Sequence, residues 1–324
     1  MSPMQEVRAW FASLVAGWDR FWFTPSAPHT YCMIRILGGG MLFYTHLVWS
    51  KDLIAFLGPE SWIPRELSVA AHQGRPFCWS YLWYFDSPAM LWTAHLLALL
   101  VFAMLIAGWH SRIVSVLSFL ITVSYCHRLE GALFGLDQVN AMIALYLMIG
   151  DCGAVYSVDH WRRNRQAGQG GQVVPSTSIN VAVRLLQIHM CIIYLFGGIS
   201  KMKGTMWWSG EAAWFAVANY EYQSLDMTWL AHVPWLASLL THATLYWEAS
   251  YCFLVWPRQT RPIVLSIAVA VHSGIALFLG MITFSVAMLI GNLAFIPPVW
   301  TQAVVDWFRK QVASRQQLAS SRAL

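Results

Sequence analysis

The chain has 324 residues, 58% of them hydrophobic and only 11% charged, and its mean hydropathy is +0.51. That composition excludes an ordinary soluble domain and defines an integral membrane protein. Nineteen tryptophans accompany a formal net charge of only +5; they suit aromatic belts at two interfaces, and so diffuse a charge excludes nucleic acid as a partner.

Taken in order, Glu6 to Phe23 repeats Trp10, Leu14, Trp18, Phe21 and Trp22 at helical spacing, with Arg8, Ser13, Asp19 and Arg20 on the other face. This predicts an interfacial amphipathic helix within residues 1–30. The segment lacks the basic region, apolar core and small-residue site of a cleaved signal, so the first membrane helix is expected to serve as the targeting element. That first span runs from Tyr31 to Ser50, with Arg35 inside it near its start and His46 near its end. Residues 51–88 carry four prolines and several aromatics and read as an ordered interfacial loop, not a linker. Spans two and three, Ala89 to Ala107 and Ile113 to Cys126, are joined closely enough to require an antiparallel hairpin. Span four, Val139 to Ile149, is short and begins beside Asp137 and Asn140.

From Arg162 to Ser178 the composition turns polar, basic and glycine-rich, which predicts a linker. Span five, Ile179 to Ser200, leads into a second aromatic loop over 201–234. Spans six to eight cover Trp235 to Trp256, Pro262 to Leu279 and Met281 to Ile296. The expected fold is therefore all-α, a polytopic membrane protein of about eight transmembrane helices plus interfacial amphipathic helices, with the transmembrane domain over 31–299 and a basic amphipathic tail over 300–324. No internal repeat is visible, which ranks a transporter below other readings.

Counting Lys and Arg on alternate sides of eight spans, and leaving Arg35 and Arg184 in the bilayer, puts twelve on the side of the termini and six on the other. By the positive-inside rule both termini are then cytoplasmic, in the cell's inner (cytoplasmic) membrane, and both aromatic loops lie outside. His46, His127, Asp137, Asn140 and Lys201 would share the outer third of the membrane, and convergence of titratable groups at one depth marks a candidate site.

Lys201 stands where span five meets water. A lysine there either snorkels to the headgroups or works as a base. The adjacent Gly197 and Gly198 let another helix or a ligand approach the backbone closely, and Trp207 follows in the loop. Asp137 reads as a cap of span four as readily as a catalytic group. The histidines at 46, 95, 189, 242 and 272 lie in apolar spans, where hydrogen bonding in the core competes with ligation, and neither they nor the six cysteines show metal-ligand spacing. Glu248, the acid well inside a span, is expected to form a structural ion pair with Arg184 or Arg35, placed at similar depth.

The segment G-G-I-S-K-M-K-G-T-M-W-W-S-G around Lys201 resembles a motif of the HTTM family, the membrane domain shared with vitamin K-dependent gamma-glutamyl carboxylase. The resemblance continues in R-I-L-G-G-G-M from Arg35, the turn before Arg112, Y-S-V-D at Tyr156 to Asp159, the acid at Glu248, and H-S-G-I-A-L-F-L-G-M-I-T-F-S from His272. It implies a neutral lysine, Lys201, that deprotonates a reduced isoprenoid naphthoquinone of the vitamin K type, with oxygenation generating a base that acts on a glutamate-containing peptide. On that implication Asp137, Asn140 and His127 join Lys201 as candidate catalytic groups, and Trp207, Gly197, Gly198 and His272 as cofactor contacts. The chain reads Gly135-Leu136-Asp137 where the carboxylase has an Asn-His pair. The alternative function is a non-catalytic membrane scaffold, or a binder of lipid or quinone, that retains the fold.

Overall fold

The computed structural model describes residues 2–166 and 173–321. Among the described residues the chain is helical, without a sheet; the lone bridge joins Ser26 and Ser176. The α-helices in order are α1 (Pro3–Phe23), α2 (His29–Trp49), α3 (Leu53–Leu57), α4 (Arg65–Ala71), α5 (Pro88–Ala107), α6 (Ser111–Arg128), α7 (Gly135–Leu147), α8 (Val158–Gln166), α9 (Thr177–Met202), α10 (Thr205–Ser209), α11 (Ala212–Val217), α12 (Pro234–Leu254), α13 (Arg261–Phe278), α14 (Ile282–Asn292) and α15 (Pro298–Ser321).

Each predicted span is a helix, but length and composition qualify four of them to cross a membrane: α2, α5, α9 and α13. A fifth arises if α14 and α15, bent by 115° across a short break, count as one. The count of eight is therefore not reached on these grounds. The reasons are physical: α7 has 13 residues and α14 has 11, about 20 and 17 Å at 1.5 Å per residue against a hydrocarbon layer of about 30 Å, while α6 and α12, with 18 and 21 residues, are long enough but too polar. The predicted linker also needs correcting. Arg162 to Gln166 belong to α8, whose basic residues follow Asp159 in its first turn as a helix dipole favours; residues 167–172 lie outside the described residues.

The end of the bundle that carries both chain termini is fastened by polar groups reaching main-chain oxygens. Asn180 donates to the carbonyls of Phe21 and Trp22, each at 2.8 Å, and Arg184 donates to Phe21 O at 3.2 Å while lying 4.5 Å over the Phe21 ring. These bonds dock the last turn of α1 on α9, although α1 buries none of its own side chains. Arg35 is fully buried and donates to Tyr156 O at 2.6 Å. Its guanidinium lies against Gly108, where any Cβ would overlap it, and Gly108 closes α5 in the left-handed conformation at φ +67°. Asp159 accepts from His110 N at 3.0 Å, Ser111 N at 2.7 Å and Ser111 Oγ at 2.6 Å. That carboxylate caps the start of α6 from a distant segment.

At the opposite end, residues 51–88 form an ordered cap, as the prolines and aromatics predict. What orders it is Arg128, 1% exposed. It donates to Ile63 O at 2.9 Å and Ser61 Oγ at 3.2 Å, over a small core of Leu53, Leu57, Leu82, Leu91, Tyr125 and Leu129. The second loop packs α10 and α11 along the first half of α12. Thr241 Oγ1 donates to Gly210 O at 3.0 Å and accepts from Ala213 N at 2.9 Å.

Candidate functional site

α9 and α12 form the most extensive helix pair of the bundle, and glycine explains why. A Cβ on Gly198 would come within 2.8 Å of Ala249 N and 3.0 Å of Ala249 Cα, so the two backbones touch there. One residue earlier, a Cβ on Gly197 would meet Glu248 Oε2 at 3.2 Å. The glycine pair therefore admits a helix, α12; at these two positions the space expected for a cofactor is filled by Glu248 and Ala249.

This close approach brings Glu248 to Lys201, with Nζ to Oε2 at 2.6 Å. The side chains are 26% and 13% exposed, so the pair sits at the edge of the packed interior. Lys201 Nζ also lies 5.2 Å from the Trp207 ring centroid, a cation–π distance, which places an aromatic wall beside the amine. Lys203, two positions on, is exposed, as the turn of a helix requires.

The expected pairing of Glu248 with Arg184 or Arg35 is thus replaced by pairing with Lys201. Depth is the cause. Arg184 lies 13 positions before Gly197 on α9, about 20 Å toward the terminal end at helical rise. It is occupied there by Phe21 O and by Gln187 Oε1 at 3.0 Å, and Arg35 is held by Tyr156 O. α12 starts well beyond the end of α9, so its fifteenth residue, Glu248, meets the last turn of α9.

One turn below the ion pair on each helix stand Tyr194 and Tyr251, three residues before Gly197 and three after Glu248. They are part of a buried polar network. Tyr251 Oη donates to Asn292 Oδ1 at 2.7 Å, and Asn292 Nδ2 donates to Tyr194 Oη at 2.9 Å. Tyr194 Oη in turn lies 2.7 Å from His272 Nε2. The Tyr194 hydroxyl thus bridges Asn292 and His272, whose other ring nitrogen is Nδ1. That Nδ1 is buried without a partner among the described residues. His272 therefore joins the Lys201 seam, through Tyr194. The sequence carries the signal for this network in the helical spacing of Tyr194 to Gly197 and Glu248 to Tyr251, but Asn292 was not singled out.

The other predicted residues separate from Lys201. His46, Asp137 and Asn140 converge, as expected, but on a distinct cavity between α2, α6 and α7. Asp137 closes the start of α7 from within its first turn, its carboxylate accepting from Phe134 N at 3.1 Å. His127 joins neither group; it rests against the Trp79 backbone, with its ring 5.4 Å from that of His72. The remaining span histidines have hydrogen-bond partners, His95 with Ser50 and Tyr125, His189 with Tyr146, and His242 with Ser238, as core histidines do.

A helix bundle of this hydropathy, stapled by glycine contact and by polar groups turned inward, defines a helical membrane protein. The model of the HTTM domain, a membrane domain, matches residues 73–300, and the chain belongs to that family. It is also similar to uncharacterized protein YitO of Bacillus subtilis (strain 168), 19% identical over 222 residues, 65% of this chain and 68% of that protein. No solved structure matches.

Proposed function

We propose that this HTTM-domain protein takes a hydroxyl proton from a reduced isoprenoid naphthoquinone at Lys201, that molecular oxygen then oxidises the deprotonated quinone and yields a stronger base, and that this base acts on a glutamate-containing peptide or a related carbon acid, as the carboxylase resemblance implies. The observation that carries the reading is the 2.6 Å approach of Glu248 to Lys201 Nζ. That contact orients the Lys201 nitrogen and puts a second proton-accepting group within hydrogen-bond reach of it, as a proton relay needs. Trp207 on one side and α12 on the other restrict water at the amine. Lys201 and Trp207 are the residues that would hold the quinone ring, since Gly197 and Gly198 are covered by α12. In this reading the eight helices all span, the termini are cytoplasmic in the cell's inner membrane, and the Lys201 end faces outward.

The same contact supports a second reading. An ion pair also neutralises a lysine without chemistry, and a scaffold or lipid-binding protein that keeps the fold would need no more. The test is oxygen-dependent turnover of a reduced naphthoquinone by purified wild type, Lys201→Arg and Lys201→Ala of matched thermal stability, with and without a glutamate-containing peptide. Arginine cannot give up its proton inside a protein, so the catalytic reading expects turnover in wild type and loss in both variants. Turnover retained by Lys201→Arg removes Lys201 as the base, and turnover absent from wild type favours the scaffold or binding reading.

A further inference from the structure

The cavity bounded by α2, α6 and α7 has a donor–acceptor balance that narrows what can occupy it. His46 is 4% exposed and Asn140 is 2% exposed. His46 Nδ1 lies 2.8 Å from Leu42 O, and a carbonyl only accepts, so Nδ1 carries the proton and Nε2 offers a lone pair. Thr45 Oγ1 donates to Met41 O at 2.6 Å and accepts from Asn140 Nδ2 at 3.1 Å. The Asn140 amide is therefore oriented with Oδ1 toward the cavity. Both His46 Nε2 and Asn140 Oδ1 are buried without a partner among the described residues, and Asp137 adds a carboxylate to the lining. The chamber presents acceptors that call for a donor.

Its size sets the donor. The chamber leaves about 10 Å³ for the centre of a water-sized group, room for one oxygen atom. It shares Thr45, Trp49 and Asp137 with an outer cavity of about 360 Å³, within the range of small-molecule sites. The outer cavity is walled by Tyr44, Val48, Phe56, Phe134 and Leu136, and its charged residues, Asp52 and Asp137, are both acidic. Tyr44 and Val48 are 50% and 45% exposed on a helix that is long and apolar enough to cross the membrane, so exposed apolar side chains of a candidate span frame the mouth. Among the described residues no lysine or arginine lines either chamber, which disfavours a phosphate headgroup.

We infer that this pair of chambers is a binding site for an uncharged amphiphile with a hydroxyl head, entering sideways from the bilayer and placing its hydroxyl between His46 Nε2 and Asn140 Oδ1. The hydroxyl donates to one of the two and its chain or ring fills the outer cavity. A long-chain alcohol and a lipophilic phenol share this chemistry, and the experiment below separates them. The site is distinct from Lys201, which belongs to the α9–α12 seam.

The experiment uses the full chain in lipid nanodiscs with photoactivatable probes of matched chain length bearing an alcohol, a phenol, a primary amine or a phosphate monoester, and maps the labelled peptides by mass spectrometry. Labelling of α2 and α7 by the alcohol or the phenol is expected, and the stronger of the two identifies the source. Asn140→Leu should reduce it about tenfold, the cost of an unmade buried hydrogen bond. Because Asn140→Leu alters the core, Val48→Trp at the exposed mouth provides a second block that leaves the fold intact and should reduce labelling similarly, whereas Lys201→Arg should leave it unchanged. Labelling that ignores both Asn140→Leu and Val48→Trp means the inner chamber holds only a water and overturns the inference. Preferential labelling by the amine or the phosphate overturns the hydroxyl assignment.

Discussion

Lys201 and Glu248 are groups that hydrocarbon would exclude singly, and each is tolerated because it sits 2.6 Å from the other. Removing one partner should therefore cost more than removing both. Lys201→Met or Glu248→Leu alone is expected to destabilise by up to about 3 kcal/mol, moderated by the partial exposure of Lys201, while Lys201→Met/Glu248→Leu recovers part of that loss. Thermal unfolding in one detergent for all four proteins closes the cycle; additive losses would show that the pair is uncoupled. Asp159 gives a different residue-scale test. Burial alone would raise its carboxyl, but the hydrogen bonds from Ser111 and His110 outweigh it and hold the group below the usual carboxylate range. A carboxyl depressed on folding contributes stability above its unfolded pKa of about 3.9 that is lost as pH falls through the lower folded value. Melting temperature measured from pH 6 downward should thus fall less steeply for Asp159→Asn than for wild type. That variant should also lose about 1 kcal/mol at neutral pH through the weakened cap of α6.

At the scale of elements, the glycines of α9 make separable predictions. A methyl at 198 meets the backbone of α12 at 2.8 Å and can be accommodated only by moving a helix, whereas a methyl at 197 meets the end of the Glu248 side chain at 3.2 Å, which can turn aside. Gly198→Ala should lower the melting temperature clearly more than Gly197→Ala; equal effects would mean that the α9–α12 contact is looser than these distances. The same region shows what the sequence could and could not convey. Hydropathy located a helix at each of the eight predicted spans, four of which are long and apolar enough to cross a membrane, because an apolar run of helical length has few other solutions. It did not convey their relative heights. Glu248 was placed beside Arg184 by treating the ends of α9 and α12 as level, and the overshoot of α12 alongside α10 and α11 moved it to Lys201 instead. Likewise Arg128, counted as a loop charge, is buried because three loop oxygens surround it, a long-range arrangement that no local pattern encodes. His46, Asp137 and Asn140 did converge, since the end of α2 and the start of α7 lie side by side and their relative depth needs no knowledge of overshoot.

For the whole molecule, the places where charge and aromatic side chains gather lead to a testable orientation in the bilayer. The terminal end holds Arg35, Arg112, Arg163 and Arg184, all bonded to main-chain oxygens, so the basic residues there fix the bundle's joints besides biasing its topology. Two helices leave the bundle at this end. α1 exposes Trp10, Phe11, Leu14 and Trp18, and α15 exposes Trp300, Val304, Trp307 and Phe308. α15 turns 115° from α14, close to perpendicular, so if α14 runs along the membrane normal then α15 lies along its surface with that aromatic face in the interfacial layer. The start of α15 is tied to α2 by Thr30 and Thr301 at 2.8 Å, and Arg309 lies 5.5 Å over Tyr156, so the surface helix is anchored at the terminal end and not free to cross. If all eight predicted spans cross, twelve basic residues lie on the side of the termini against six on the other, and the positive-inside rule predicts cytoplasmic termini. Reporter fusions after Gln166 are then expected to read as cytoplasmic and those after Ser209 as external, and Trp307→Ala/Phe308→Ala should weaken membrane association of an isolated α15 peptide while leaving insertion of the full chain unchanged. The reverse reporter pattern would move Lys201 to the cytoplasmic side and require its substrate to be sought there.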